Sequence, residues 1–300
     1  MLRLQLPRKA SSDVERRRSG EVHVHGGAEA GAEAPAVDPR REGASSGRPD
    51  APASARVDGS DALLDAVPER VLRRVGERAT CVVVLDGVEC VVKRDRERAG
   101  WRGLFGARAS LGAREHAALA ALARDGFPVP RALACVERRD ARGLASAVAM
   151  EHVPHDETLR ERLGCAEPAE RARWGARLAE LVATLHARGW YHRDLYLQHL
   201  VLRRGAAEEQ ALVLLDVGRA RRERAPRERW FVKDVAALLH STPRAVTARE
   251  RLRFVARYLD LRDVSERRAR RRFLARVIAK ERRMAAHAPR AGEDRPWEDR

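Results

Sequence analysis

The stretch His192-Arg193-Asp194-Leu195-Tyr196-Leu197-Gln198-His199 constrains this chain more than any other, because of what surrounds it. Upstream, Trp174 to Arg188 repeats apolar residues at helical spacing. Downstream, His199 to Leu202 and Ala211 to Leu215 read as two short apolar strands, and the second ends in Asp216-Val217-Gly218. A polar loop between a helix and a strand, with another aspartate closing the next strand, brings two carboxylates to one cleft. The triplet His-Arg-Asp alone carries little in a chain so rich in Arg and Asp. The order of elements makes it specific.

That order suits phosphoryl transfer. Asp194, in the loop, would accept the proton of an attacking hydroxyl, and Asp216, beside a glycine-permitted turn, would hold the Mg2+ that bridges the phosphates of ATP. A solvated aspartate suffices as base, because this chemistry rests mainly on positioning and charge stabilisation. The plainer readings are a turn-forming Asp194 and a helix-capping Asp216. Lys93 is the sole lysine between Lys9 and Lys233, in a chain that otherwise writes its cations as Arg. A compact ammonium fits between phosphates and a carboxylate where a guanidinium fork is too wide. Lys93 is therefore expected to hold the α- and β-phosphates while pairing with Glu115; the plainer reading is a lysine guarding a strand edge. His199 is grouped with the metal site, although Mg2+ prefers oxygen. Contact with a phosphate, orientation of Asp216 and simple core packing are its other readings. No GxGxxG precedes Lys93, and Gly76 is the only glycine where such a loop would lie.

The flanking segments fit an α+β fold of two lobes, a small antiparallel sheet with one main helix followed by a mostly helical lobe. Ala79 to Leu85 and Val88 to Arg94 flank Asp86-Gly87, a two-residue hairpin signal. That turn pairs Val84 with Glu89 and Val82 with Val91, which sets Val82, Val84, Val91 and Lys93 on one face as a nucleotide wall. A helix over Ala113 to Arg124 carries Glu115 on its apolar face, and Phe127-Pro128-Val129-Pro130 ends it. Strands over Ala132 to Glu137 and Ala145 to Met150 follow. Glu151 to Pro154 reads as a hinge, with Glu151 on the nucleotide side. The expected division is a disordered tail over 1–60 (its His23 and His25 solvated), lobes over 61–150 and 155–287, and a loose end over 288–300. No apolar run reaches the length of a membrane span, and no signal-like segment opens the chain, so a soluble, cytoplasmic protein is expected. Cys81, Cys90, Cys135 and Cys165 lack metal-site spacing and read as free buried thiols.

The net charge of +16 combines with four lysines, one isoleucine and no asparagine, a bias that points to a GC-rich bacterial genome. What remains beyond codon usage favours anionic partners. Nucleic acid is disfavoured, since no zinc-finger spacing or aromatic-rich basic strand accompanies the charge. Six arginines lie between Asp216 and Asp234, and of these Arg219, Arg221 and Arg222 are candidates for binding an anionic saccharide acceptor. Arg267 to Arg283 holds nine basic residues with Phe273, Leu274, Val277 and Ile278 at helical spacing. It reads either as a closing helix or as a peripheral dock on anionic inner-membrane lipid.

The pieces HRDLYLQHLVL, LLDVGRAR and RWFVKDVAALLHS, with VVKR and Arg114-Glu115-His116 upstream, resemble the bacterial lipopolysaccharide kinase family, the Kdo/heptose (WaaP-type) sugar kinases. The resemblance extends from about Val71 to Arg283. It implies a protein-kinase-like fold and ATP-dependent phosphorylation of an inner-core sugar hydroxyl, on a lipid-linked acceptor at the inner membrane. It assigns Lys93, Glu115, Asp194, His199 and Asp216 the roles given above. It also makes Asp234 the residue that holds the catalytic loop's backbone, with His192 as a second support. Two other classes compete. One is an aminoglycoside-phosphotransferase-like or protein kinase, which would carry an asparagine where His199 stands. The other is a non-catalytic kinase-like scaffold or basic nucleic-acid binder, against which the joint presence of Lys93, Glu115, Asp194 and Asp216 argues.

Overall fold

The computed structural model describes residues 62–98, 109–208 and 210–286. The expectations for the tail over 1–60, for Trp101 and Phe105, and for 288–300 lie outside them. After a short helix α1 (Ala62–Asp65), strands β1 (Arg70–Val75), β2 (Arg78–Leu85) and β3 (Val88–Arg98) lead to helix α2 (Leu111–Arg124). Strands β4 (Ala132–Asp140) and β5 (Gly143–Glu151) complete a five-stranded antiparallel sheet of order β1-β2-β3-β5-β4. The hairpin register is the expected one: Val84 opposes Glu89, and Val82 opposes Val91. Both turn residues take positive φ, 50° at Asp86 and 78° at Gly87, the twist that matches two flanking strands.

The sheet's two faces differ. Cys81, Val83, Val92, Ala147 and Ala149 form a small core closed by Leu63 of α1. The opposite face, with Val91 and Lys93, looks onto a cleft. Ser110 caps α2, its hydroxyl accepting from Ala113 N, and α2 buries Glu115, Ala118, Leu119 and Leu122. The larger core lies in the helical part. Strand β6 (His155–Thr158), helices α3 (Leu159–Cys165) and α4 (Pro168–Ala187), and strand β7 (Trp190–Tyr191) precede the polar loop. Strands β8 (Leu200–Arg203), β9 (Leu212–Leu214) and β10 (Arg221–Arg222) precede helices α5 (Glu228–His240), α6 (Ala248–Asp260) and α7 (Arg267–Ala285). Thr158 with Glu161 and Thr247 with Glu250 form capping boxes that start α3 and α6.

One open reading is decided, that of α7 as a closing helix, and one expectation is corrected, that all four cysteines are buried. The apolar stripe of α7 is not free for lipid: Phe273 and Val277 are buried, Phe273 stacks on Tyr258, and Leu274 packs on the same core. Only Ile278 of that stripe is exposed. Of the four cysteines, all free, only Cys81 and Cys90 are buried; Cys135 is half-buried and Cys165 exposed. Among the described residues no helix is long and apolar enough to cross a membrane.

Candidate active site

A cleft of about 1610 Å³ collects Val91, Lys93, Glu115, Asp194, His199 and Asp216. The ammonium of Lys93 donates to Glu115 Oε1 at 2.6 Å and to Asp216 Oδ1 at 2.9 Å. Burial alone would push this lysine down, but the two carboxylates outweigh it and hold its pKa above the ordinary value. Burial raises the Glu115 carboxyl in spite of Lys93. Asp216 goes the other way: against its burial, Lys93 and His199 hold it well below the usual carboxylate range. Asp216 sits in the left-handed region with φ 55°, an uncommon conformation for a non-glycine residue. Two residues on, Gly218 leaves room for α2, since a Cβ there would stand 3.1 Å from Glu115 Oε2.

The loop that carries Asp194 is held from below. Asp234, fully buried on α5, accepts from His192 N at 2.6 Å and from Arg193 N at 2.7 Å. His186 lies 3.4 Å from the same carboxylate through Nε2 and 2.8 Å from the Tyr258 hydroxyl through Nδ1. Burial keeps His186 neutral. The tautomer with the proton on Nε2 satisfies both contacts, donating to Asp234 and accepting from Tyr258. His192 is also neutral by burial; its Nδ1 accepts from Asp194 N at 3.3 Å and its Nε2 donates to the Leu215 carbonyl at 3.1 Å. Arg193 takes φ 76° between these anchors. Such strain persists only where the surroundings over-determine the backbone.

Asp194 presents Oδ1 to Arg219 Nη1 at 2.9 Å and to Lys233 Nζ at 3.4 Å. Lys233 also donates to the Arg193 carbonyl. Lys233 was not among the residues expected at the site, though it lies one position before Asp234. A single lysine on a helix reads from sequence as a surface cation. Only the fold shows its ammonium at the loop.

Four other expectations need adjusting. His199 Nδ1 lies 2.8 Å from the Asp194 carbonyl, and its Nε2 is 3.8 Å from Asp216 Oδ2. Its ring therefore stands between the loop and Asp216, hydrogen-bonded to the former and too far from the latter's carboxylate for a hydrogen bond. Among the described residues no group of three or more His, Cys, Asp or Glu forms a ready metal cage. A single accessible carboxylate still fits Mg2+ arriving with a nucleotide, because that ion commonly takes one or two carboxylates and completes its shell with phosphates and water. Glu151 borders the cleft, but its carboxylate accepts from Arg131 N at 3.0 Å and from Arg203 at 2.7 Å, so it fixes the connection rather than reaching a ligand. Of the expected wall, Val91 and Lys93 line the cleft; Val82 is buried outside its lining and Val84 is exposed near the hairpin end. The three candidate acceptor arginines do not converge: Arg219 meets Asp194, Arg221 donates to the Ala220 carbonyl, and Arg222 pairs with Asp125 at 3.1 Å.

The arrangement has known counterparts. A stretch of 85 residues is 35% identical to the lipopolysaccharide core heptose(I) kinase WaaP of Pseudomonas aeruginosa, covering 27% of this chain and 32% of that protein. The chain thus aligns with about a third of that relative's length. Among solved structures, WaaP in complex with acyl carrier protein superposes with a TM-score of 0.56 at 26% identity, over 75% of this chain and 91% of that one. Residues 67–258 match the Lipopolysaccharide kinase (Kdo/WaaP) family, which spans the sheet, the cleft and the loop supports alike. This chain is a member of that lipopolysaccharide kinase family.

Proposed function

We propose that this protein transfers the γ-phosphoryl group of ATP to a hydroxyl of an inner-core sugar, Kdo or heptose, or of a similar lipid-linked saccharide. The observation that carries the reading is the Lys93 ammonium held by Glu115 and Asp216, with Asp194 across the same cleft. Lys93 would bind the α- and β-phosphates, and Asp194 would take the acceptor's proton. Arg219 and Lys233 would hold that carboxylate in position. Mg2+, bound with the nucleotide at Asp216, supplies charge neutralisation between the phosphates. By likeness to WaaP, solved with acyl carrier protein, a carrier protein is proposed as a partner. Peripheral contact with anionic lipid would rest on charge alone, since the apolar side of α7 faces the core.

The test is transfer from labelled ATP to Kdo-bearing and heptose-bearing core saccharides, free sugars and a generic protein. The expected result is label on a core saccharide, lost in Asp194→Ala and in Asp216→Ala, with only the latter weakening Mg-ATP binding. A general base contributes about 10²–10⁴-fold. Near wild-type turnover in Asp194→Ala would remove the assignment. Label confined to protein would favour a protein kinase instead.

A further inference from the structure

Strand β1 carries cations that none of the groups above explains. It is the outermost strand of the sheet and exposed at every position. Its pairing with β2 runs Arg70 to Val82 and Val71 to Cys81, then Arg73 to Thr80 and Val75 to Arg78, with Leu72 left over as a bulge. In an unbroken strand Arg70 and Arg73 would face opposite sides. The extra residue cancels that alternation, and bulges commonly re-aim side chains beside functional sites. Both arginines now oppose Val82 and Thr80, which share one face of β2. Those two oppose Val91 and Lys93 on β3. Arg73, Thr80 and Lys93 therefore form one row across three strands, and Arg70, Val82 and Val91 form the next.

Both arginines line the cleft. Neither has an acidic partner among the described residues, whereas Arg78 and Arg96 of the same sheet pair with Asp95 and Asp140. The turn after β1 offers only Gly76 where kinase-like folds wrap phosphates with glycine-loop amides. Strands are spaced by about 4.8 Å, so the Arg73 backbone lies roughly 10 Å from that of Lys93. Two side chains from these positions are long enough to reach one phosphate chain laid between them.

We propose that Arg73 and Arg70 form a cationic roof that binds the nucleotide, with side-chain charge standing in for the missing glycine loop. Arg73 grips the polyphosphate laid along Lys93. Arg70 covers the purine and ribose next to Val91, where a guanidinium plane stacks on a base. This rests on the kinase reading and adds to it the means by which the nucleotide is held. Affinity should then rise with phosphate number and fall with salt.

The experiment titrates the full chain calorimetrically with ATP, ADP and adenosine in the presence of Mg2+, comparing wild type with Arg73→Ala, Arg70→Ala and Arg139→Ala. Arg139 is exposed on β4, at the sheet's far edge, and controls for net charge. Because β1 is exposed throughout, neither roof variant should lower the melting midpoint, which is measured alongside. Arg73→Ala should weaken ATP about tenfold or more and leave adenosine unchanged, as expected for loss of a charge-assisted contact to phosphate. Arg70→Ala should weaken all three ligands several-fold. Wild-type ATP affinity in Arg73→Ala, or an equal loss in Arg139→Ala, overturns the roof alone. A wild-type chain that binds none of the three ligands overturns the kinase reading with it.

Discussion

Replacing Asp234 by Asn tests how the loop that carries Asp194 is held. The carboxylate is fully buried and accepts one backbone N–H on each oxygen, from Arg193 at 2.7 Å and from His192 at 2.6 Å. An asparagine offers one acceptor oxygen and turns an NH2 toward the other amide. One N–H is left buried without a partner, and the remaining bond loses its ionic character. A hydrogen bond to a charged group contributes about 1.5–3 kcal/mol, and an orphaned buried donor costs about 1–3 kcal/mol. The two effects overlap, so the expected destabilisation is about 3 kcal/mol. For a domain of this size that lowers the melting midpoint by roughly 6–12 °C. Activity should fall further than stability explains. Arg193 is held at φ 76° by these bonds, and a reacting group displaced by about 1 Å can lose about 100-fold in rate. Urea unfolding gives the first quantity, and phosphoryl transfer at a temperature where the variant is folded gives the second. A variant within about 0.5 kcal/mol of wild type and equally active would show that the loop is held by something else.

Lys93→Arg should lose most activity at saturating ATP, because the wider guanidinium cannot occupy the point between Glu115 and Asp216; a fully active variant would return Lys93 to a surface role. Lys233→Met should lower kcat while leaving the KM for ATP nearly unchanged, a split that a purely structural role would not produce. At the start of α6, Arg171 and the Thr247 cap hold the Glu250 carboxyl down to about 2 against its burial. Its folded pKa lies below the ordinary value of about 4.3, so this stabilisation is present above that pH and is lost as pH falls toward 2; Glu250→Gln should flatten acid unfolding in that window, and an unchanged profile would refute it. Sedimentation with anionic vesicles should occur only at low salt and not with neutral ones, and equal binding to both would remove the electrostatic argument.

Much of this was legible in the chain itself, for identifiable reasons. Asp86-Gly87 dictates a hairpin with a fixed register, and that register places Lys93 without reference to anything distant. The loop, the strand after it and Asp216 follow from local pattern in the same way. What pattern could not supply was convergence. Val84 shares a face with Lys93, yet that face continues beyond the cleft. Six arginines crowd one segment, but Asp125, at the end of α2 and far away in sequence, claims Arg222. The stripe on α7 has the spacing of a membrane dock because packing against Tyr258 asks for the same spacing. Lys233 and the Leu72 bulge lay hidden for the converse reason: a helical lysine and an extra strand residue have no signature until their neighbours are known.

The two lysines at the cleft should differ as chemical reagents. Glu115 and Asp216 keep Lys93 protonated, and a protonated amine is no nucleophile. Burial depresses Lys233 below the ordinary lysine value despite the nearby Asp194, so a larger share of it is free amine at mildly alkaline pH. Besides these two, an acylating reagent meets Lys9, Lys280 and the α-amino group, so the contrast it reports is that between Lys233 and Lys93. It should modify Lys233 ahead of Lys93 in the resting protein, so that labelling at the loop can be told apart from labelling at the Glu115–Asp216 pair.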